Sequence, residues 1–174
     1  MRRNAAGAPA GDPRPFFLPG APAAAGGRGV LLLHGFSGTP FEVSLLGQDL
    51  AARGFACAAP LLPGHGGDAA ALARSTSRDW LDAAEAALVE LRERLGPGAR
   101  LGVAGLSMGG LLALELCRRH RDLLRAGCFL STALYLPAYQ MRLIAALRGG
   151  RLAALRLPKL AGSDIRDAAL RKRN

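Results

Sequence analysis

The stretch LGVAGLSMGGLLALELC, residues 101–117, decides the fold. Its first five residues form an apolar run of strand length, and residues 108–120 have the composition of a helix that is apolar almost all round. Between them lies the pattern G-x-S-x-G, residues 105–109. A strand that passes directly into a helix leaves no room for a β-carbon two residues before or after the serine, which accounts for both glycines. The segment therefore predicts a sharp strand-to-helix turn with Ser107 at its tip.

A serine held in such a turn is suited to nucleophilic attack. The tight geometry, with Gly105 and Gly109 on either side, strains the backbone of Ser107 and lifts its hydroxyl clear of the sheet. Acyl transfer needs two backbone N–H donors for the developing oxyanion, and the N–H of Met108 is well placed to be one. The alternative is a glycine-rich turn that binds phosphate, but the Walker lysine and the dinucleotide spacing are both missing. We therefore predict Ser107 as a catalytic nucleophile.

The second N–H donor is expected in the loop HGFSG, residues 34–38, which follows an earlier apolar run. Gly35 lets this loop approach a substrate, and the N–H of Phe36 is the favoured donor. His34 is a candidate base, yet a histidine that ends a strand before a glycine turn is more typical of a structural role. His65 lies in a P-G-H-G loop, where we expect backbone carbonyls to satisfy it. A catalytic role for His65 stays open at this point.

Short apolar runs alternate with helical patterns from Gly29 onward, which is typical of βαβ units and a parallel sheet. Strands are predicted at residues 30–34, 55–59, 101–105 and 127–131. Helices are predicted at residues 40–53, 78–95 and 108–120, with a long loop at residues 61–77. Thr39 is expected to cap the first helix, with Pro40 at its first position and Glu42 completing a capping box.

A net charge of +10 is typical of nucleic-acid-binding proteins, but here the excess of basic residues lies in one part of the chain. Residues 1–117 hold 10 basic and 10 acidic residues, whereas residues 118–174 hold 13 basic and 3 acidic ones. No nucleic-acid-binding fold or set of aromatic readers accompanies the excess, so no nucleic-acid partner is predicted. Contact of the arginines in residues 142–173 with a membrane surface or nucleic acid is a weaker alternative, and membrane contact would be peripheral at most.

Cofactors and export signals are not indicated either. Cys57, Cys117 and Cys128 each lie in an apolar stretch without C-x-x-C spacing, so we expect buried thiols in a reducing compartment and no metal site. The N-terminus lacks the apolar segment of a secretory signal, and the apolar runs are too short to cross a bilayer. A cytoplasmic protein is the expectation, and its oligomeric state is not determined.

Four motifs in the same order resemble the bacterial carboxylesterase and monoacylglycerol-lipase-like branch of the α/β-hydrolases. They are HGFSGTP (34–40), PLLPGHG (60–66), Asp79-Trp80 and GLSMGG (105–110). The resemblance implies a parallel-sheet α/β-hydrolase fold with the four predicted strands in the order two, one, three, four. It also implies a small-molecule acyl ester as substrate, an acyl-enzyme on Ser107, an oxyanion hole from the N–H groups of Phe36 and Met108, and no cofactor.

The resemblance covers residues 29–134, which we expect to be the nucleophile half of the hydrolase core. Residues 1–28, rich in Pro, Gly and Ala, are expected to be a flexible lead-in, and residues 135–174 the start of a cap. In the family the acid and the histidine follow the serine on later strands, yet no histidine follows His120 here. The chain is therefore expected to be truncated after the fourth strand and impaired as an esterase. A non-catalytic remnant, or a thioesterase or acyltransferase on the same scaffold, is the alternative.

Overall fold

A computed structural model describes residues 14–20, 27–67, 69–132 and 134–135. The chain divides into two compact units, Met1–Ala133 and Leu134–Asn174. The second unit is described only at Leu134 and Tyr135, both exposed, so the predicted cap and its arginines lie almost wholly outside the described residues. Among the helices that are described, none is both long enough and apolar enough to cross a bilayer.

The described part of the first unit is an α/β structure with one five-stranded sheet. Its strands are β1 (Phe16–Leu18), β2 (Arg28–Leu33), β3 (Ala56–Ala59), β4 (Arg100–Leu106) and β5 (Leu124–Leu130). Its α-helices are α1 (Ser44–Ala52), α2 (Ala69–Arg74), α3 (Ser77–Leu95) and α4 (Met108–Arg119), and a 3-10 helix at Pro40–Val43 leads into α1. The sheet order is β1-β3-β2-β4-β5, with β2 to β5 parallel and β1 antiparallel to β3. The predicted order of the four parallel strands is confirmed.

The centre of the sheet is buried on both faces, as expected where helices cover a parallel sheet. Leu31 and Leu33 of β2 pack in a core cluster with residues of α3 and α4, while Leu32 packs on the opposite face in a cluster that includes residues of α1. Leu33 is paired with Gly105 of β4. Because β2 and β4 are parallel neighbours in this register, the loop after β2 and the turn after β4 begin side by side.

The prediction that residues 1–28 lack regular structure is wrong at Phe16–Leu18. These three residues pair antiparallel with Cys57–Ala59, and Leu18 is buried at 1% exposure. A three-residue strand is too short to show a period, and its N–H and C=O groups find partners only once β3 is in place as a template. In the sequence alone, β1 is therefore recognisable only as a short apolar stretch.

The first helical segment begins at Pro40 with Thr39 at the N-cap position, as predicted, but the predicted type of its first turn and the predicted cap are wrong. Pro40–Val43 is a 3-10 helix, and the side chain of Thr39 makes no capping hydrogen bond. The carboxylate of Glu42 accepts instead from the backbone N–H of Gly35. The capping box of the structure lies at α3, where Thr76 and Asp79 bond reciprocally. The predicted 61–77 loop likewise contains the short helix α2.

A helix that is apolar almost all round is expected to be buried deep against a sheet, yet α4 is not buried on every side. Leu112 and Leu116 pack into the core, whereas Leu111 and Leu114 are exposed at 44% and 43%. Strand β5 is exposed at every residue after Leu124. A sheet covers one face of a helix, and β5 is the sheet edge within the described residues, so an apolar surface of α4 and β5 faces outward.

Two further side-chain expectations differ from the structure. Cys57 is buried as expected, but Cys128 is exposed because it lies on the edge strand β5. The sequence places His120 among arginines at a helix end, where we expect it to be solvated, yet its Nε2 lies 2.6 Å from Oε1 of Glu85 on α3. The pair ties the end of α4 to α3, a contact between residues 35 positions apart that composition alone does not indicate.

Candidate active site

Ser107 lies between the last residue of β4 and the first residue of α4. Its backbone has φ 53° and ψ −113°, and the residue is exposed. A positive φ is costly for a residue with a β-carbon, on the order of 1–3 kcal/mol, and persists only where surrounding contacts hold it. One such contact is the Ser107 N–H, which donates to the carbonyl of Leu130 on β5 at 2.8 Å. The sheet thus holds a strained turn that carries an exposed hydroxyl.

Two glycines make the turn possible by permitting backbone contact. A β-carbon on Gly105 would overlap the carbonyl of Gly109. A β-carbon on Gly109 would overlap the carbonyl oxygens of Leu33 and His34 at the end of β2. The start of α4 therefore packs directly against the backbone of β4 and β2, and the position of Ser107 is set by backbone rather than by side-chain packing.

The loop after β2 lies against this turn. The N–H of Gly38 donates to the carbonyl of Gly35 at 3.1 Å and closes a four-residue turn in which Ser37 has φ 59°. A β-carbon on Gly35 would lie 3.6 Å from Cβ of Ser107. The structure thus brings together the two segments, residues 34–38 and 105–109, that the sequence singled out.

The two N–H groups predicted as oxyanion donors lie in these segments. Met108 is the first residue of α4, where a helix N–H has no intrahelical partner and the helix dipole favours negative charge. Phe36 follows Gly35 in the closed turn, and the residue is 58% exposed. Within the described part of the chain, neither N–H donates a hydrogen bond. Neither N–H is therefore already engaged by another group of the described residues.

His34 is fully buried and has both ring nitrogens occupied. The N–H of Leu62 donates to Nε2 at 3.1 Å, which leaves Nδ1 protonated and donating to the carbonyl of Gly35 at 3.0 Å. Burial lowers the pKa of His34 to about 4, and the nearby His65 lowers it further by a smaller amount, against the raising effect of the Gly35 hydrogen bond. The imidazole joins the end of β2 to the loop at Leu62, and neither ring nitrogen is free to act as a base near neutral pH.

His65 is also buried, at 6% exposure, but only one of its nitrogens is satisfied. Nδ1 lies 3.0 Å from the carbonyl of Pro63, and Nε2 has no hydrogen-bond partner in the described structure. The ring makes edge contacts with His34 at 4.9 Å and Trp80 at 5.4 Å between centroids. The expectation that backbone carbonyls satisfy His65 therefore holds at Nδ1 and not at Nε2.

Acid is expected to destabilise the protein through His34. In the folded protein the His34 imidazole takes up its second proton only near pH 4, whereas in the unfolded chain it does so near pH 6.5. The unfolded state therefore binds more protons between these values, and the free energy of unfolding decreases as the pH falls from 6.5 to 4. The shift corresponds to about 3 kcal/mol of unfolding free energy. Urea unfolding at pH 7, 5.5 and 4 should show this loss, and His34→Gln should flatten the profile, while His120→Gln should retain it. Equal pH profiles for His34→Gln and the parent chain would contradict the assignment.

The sequence did not single out two residues that shape this site. The sequence pattern places Glu42 in a helix cap, although its carboxylate lies at the Gly35–Gly38 turn. Trp80 enters the sequence analysis only as part of a motif, yet its Nε1 donates to the carbonyl of Pro63 and to Oγ of Ser75, at 3.0 Å each. Across the described ranges, no group of three or more His, Cys, Asp or Glu side chains is arranged to hold a metal ion.

Known proteins resemble this chain in both sequence and structure. It is 39% identical over 95 residues to a thermostable monoacylglycerol lipase of Bacillus sp. (strain H-257), which covers 55% of this chain and 37% of the lipase. It is 36% identical over 108 residues to a carboxylesterase of Bacillus subtilis (strain 168), which covers 60% of this chain and 39% of the esterase. The chain thus spans less than two fifths of either curated relative.

A solved structure from work on LipS and LipT, two metagenome-derived lipolytic enzymes, superposes with a TM-score of 0.73 at 31% identity. The superposition covers 86% of this chain and 57% of that one. A model of the alpha/beta hydrolase family matches residues 30–173, most of the sequence. With the strand order, the turn at Ser107 and these relatives in agreement, the chain belongs to the alpha/beta hydrolase family.

Proposed function

We propose that this chain carries the nucleophile and the oxyanion hole of a serine hydrolase that cleaves small carboxylic esters through an acyl-enzyme on Ser107. The observation that carries the proposal is the positive φ of Ser107, which presents an exposed hydroxyl directly beside the Gly35–Gly38 turn. The two relatives in sequence, a monoacylglycerol lipase and a carboxylesterase, support an ester as the substrate class.

The reaction follows from the arrangement of these groups. Oγ of Ser107 attacks the ester carbonyl, and the carbonyl oxygen becomes an oxyanion that accepts from the N–H groups of Phe36 and Met108. Each such donor contributes about 10²–10³ in rate, and the N-terminus of α4 adds a favourable dipole. The alcohol leaves with a proton, an acyl ester remains on Ser107, and water then releases the acid. No metal or cofactor enters any step.

A general base is the one role that the proposal does not assign. His34 is excluded because both of its ring nitrogens are engaged. Among the described residues, no hydrogen bond joins Ser107 to His65 or to His120, whose ring is bonded to Glu85 on α3. The lack of a base bonded to Ser107 in the described residues favours the second candidate function, a non-catalytic or partial member of the family that keeps the nucleophile turn without turnover. A thioesterase or acyltransferase would use the same turn and differ only in the acyl donor or acceptor.

Covalent labelling by a fluorophosphonate tests the proposal, because the probe places its phosphoryl oxygen where the oxyanion of an ester would lie. We expect slow, stoichiometric labelling of the 174-residue chain, located at Ser107 by peptide mass spectrometry and absent in Ser107→Ala. Ser77→Ala, which removes an exposed hydroxyl at the start of α3, is the matched control and should label like the parent chain. Label on another residue, or undiminished label in Ser107→Ala, would remove Ser107 from the mechanism.

A further inference from the structure

We propose that Glu42 is a positioning residue for the oxyanion hole: its carboxylate holds the Gly35–Gly38 turn in the shape that leaves the N–H of Phe36 free for the substrate oxygen. The inference rests on the proposed function of Ser107 and Phe36. Its consequence is that Glu42, which need not touch the substrate, controls how fast Ser107 is acylated.

The carboxylate of Glu42 occupies the space inside the turn. Its Oε2 accepts from the N–H of Gly35 at 2.9 Å. A β-carbon on Gly38 would overlap the carboxyl carbon and both oxygens of Glu42, so the carboxylate lies against the Gly38 backbone where no side chain could fit. Gly35 and Gly38 are also the two residues joined by the hydrogen bond that closes the turn. One side chain thus contacts both ends of the turn.

The 3-10 helix holds Glu42 in this position. The N–H of Glu42 donates to the carbonyl of Thr39 at 3.0 Å, and the neighbouring Pro40 and Val43 are buried. At the end of the helix, Oγ of Ser44 donates to the carbonyl of Phe41 at 2.8 Å. The backbone of Glu42 is thus held on both sides. Because no long flexible segment has to be ordered, the hydrogen bond between Glu42 and Gly35 forms at a lower cost in conformational entropy.

The turn needs such support because it contains strain. Ser37 has φ 59° in the middle of the turn, a conformation that a residue with a β-carbon adopts at a cost. A hydrogen bond to a carboxylate is stronger than one to a neutral acceptor, so Glu42 offsets this strain better than a hydroxyl or a water would. Without it, the turn can relax and the N–H of Phe36 loses its fixed direction beside Ser107.

The hydrogen bond and the negative charge of Glu42 have opposite effects on the acylation of Ser107. Variants at Glu42 can therefore distinguish a positioning role from an electrostatic one. The hydrogen bond to Gly35 orients the donor, whereas the negative charge disfavours a second negative charge on the substrate oxygen. Glutamine keeps an amide oxygen at the same length and removes the charge. Glu42→Gln should therefore retain the effect of the contact, and Glu42→Ala should lose it.

The first experiment compares fluorophosphonate labelling rates of the full 174-residue chain and its variants. We expect Glu42→Ala to be slower by about 10-fold or more, the factor that corresponds to the loss of one oriented hydrogen bond. Glu42→Gln should stay within about 3-fold of the parent rate, since the acceptor remains. Glu93→Ala, an exposed glutamate on α3, is the matched control. Equal rates for Glu42→Ala and the parent chain, with labelling still lost in Ser107→Ala, would overturn the inference and leave the proposed function standing.

The second experiment does not depend on chemistry at Ser107. Hydrogen exchange of the Gly35 amide should be slow in the parent chain and in Glu42→Gln, and faster by about 10-fold in Glu42→Ala under conditions in which circular dichroism shows that this variant remains folded. Fast exchange in the parent chain, or unchanged protection in Glu42→Ala, would show that the carboxylate does not hold the turn. If the parent chain takes up no label at all, the proposed function fails while the exchange rates still decide whether Glu42 positions the loop.

Discussion

Gly105→Ala is expected to prevent stable folding of the first unit. The added methyl would overlap the carbonyl of Gly109 and the amide nitrogen of Gly110, which are backbone atoms and cannot rotate away. Gly109 has little room to move away, because the carbonyl oxygens of Leu33 and His34 already occupy the space that a β-carbon on Gly109 would need. We expect a loss of at least about 4 kcal/mol of unfolding free energy, a large share of the stability of an ordinary domain.

Urea denaturation followed by circular dichroism measures this loss. Gly67→Ala is the matched control, since a β-carbon there has no atom within 4 Å and the residue is exposed. Its unfolding free energy should stay within about 0.5 kcal/mol of the parent value. If Gly105→Ala unfolded at the same urea concentration as Gly67→Ala, the contact between β4 and α4 would be loose, and the strained geometry of Ser107 would lose its physical basis.

Hydrolysis of p-nitrophenyl butyrate by the 174-residue chain is expected to be slower than that of a complete serine esterase by at least about 10⁴-fold. Ser107 is a weak nucleophile unless a base removes its proton, and the loss of the base alone costs a triad enzyme about as much as the loss of the whole triad. Both ring nitrogens of His34 are engaged, and in the described residues Ser107 shares no hydrogen bond with His65 or His120. What remains is the contribution of binding and of the oxyanion hole, about 10³–10⁴ over water.

The comparison of the parent chain with Ser107→Ala decides this prediction. We expect the two steady-state rates to lie within about 10-fold of each other, because a serine without a base adds little to turnover. Rapid hydrolysis that disappears in Ser107→Ala would instead mean that the chain contains a base. His65→Gln would then be the next variant to measure, since Nε2 of His65 is buried without a hydrogen-bond partner in the described residues.

Much of the fold could be predicted because its signals are local. The apolar run before Ser107 and the helical pattern after it lie next to one another in the chain, and their observed bounds, Arg100–Leu106 and Met108–Arg119, differ from the predicted ones by one residue at most. Each parallel strand lies in an apolar run of its own. Their order in the sheet came from the resemblance of four motifs, and the structure confirms it.

The errors have a common cause, which is a partner distant in the sequence. Phe16–Leu18 becomes a strand only against Cys57–Ala59, and Glu42 leaves the predicted cap because the N–H of Gly35 competes for its carboxylate. Leu111 and Leu114 have the same apolar character as the buried leucines of α4, and their exposure depends on which helix face meets the sheet. Neither the composition of a segment nor the spacing of its apolar residues indicates these contacts.

By itself, the sequence determined the glycine–serine turn, the parallel sheet and the family, because backbone sterics and apolar periodicity act between neighbouring residues. Tertiary structure alone decided that both ring nitrogens of His34 are hydrogen-bonded and that Nε2 of His65 has no hydrogen-bond partner in the described residues. It also decided that the carboxylate of Glu42 lies against the Gly35–Gly38 turn. In each case the partners of a polar group depend on which other groups the packed sheet brings near it. These partners are therefore determined only once the chain has folded.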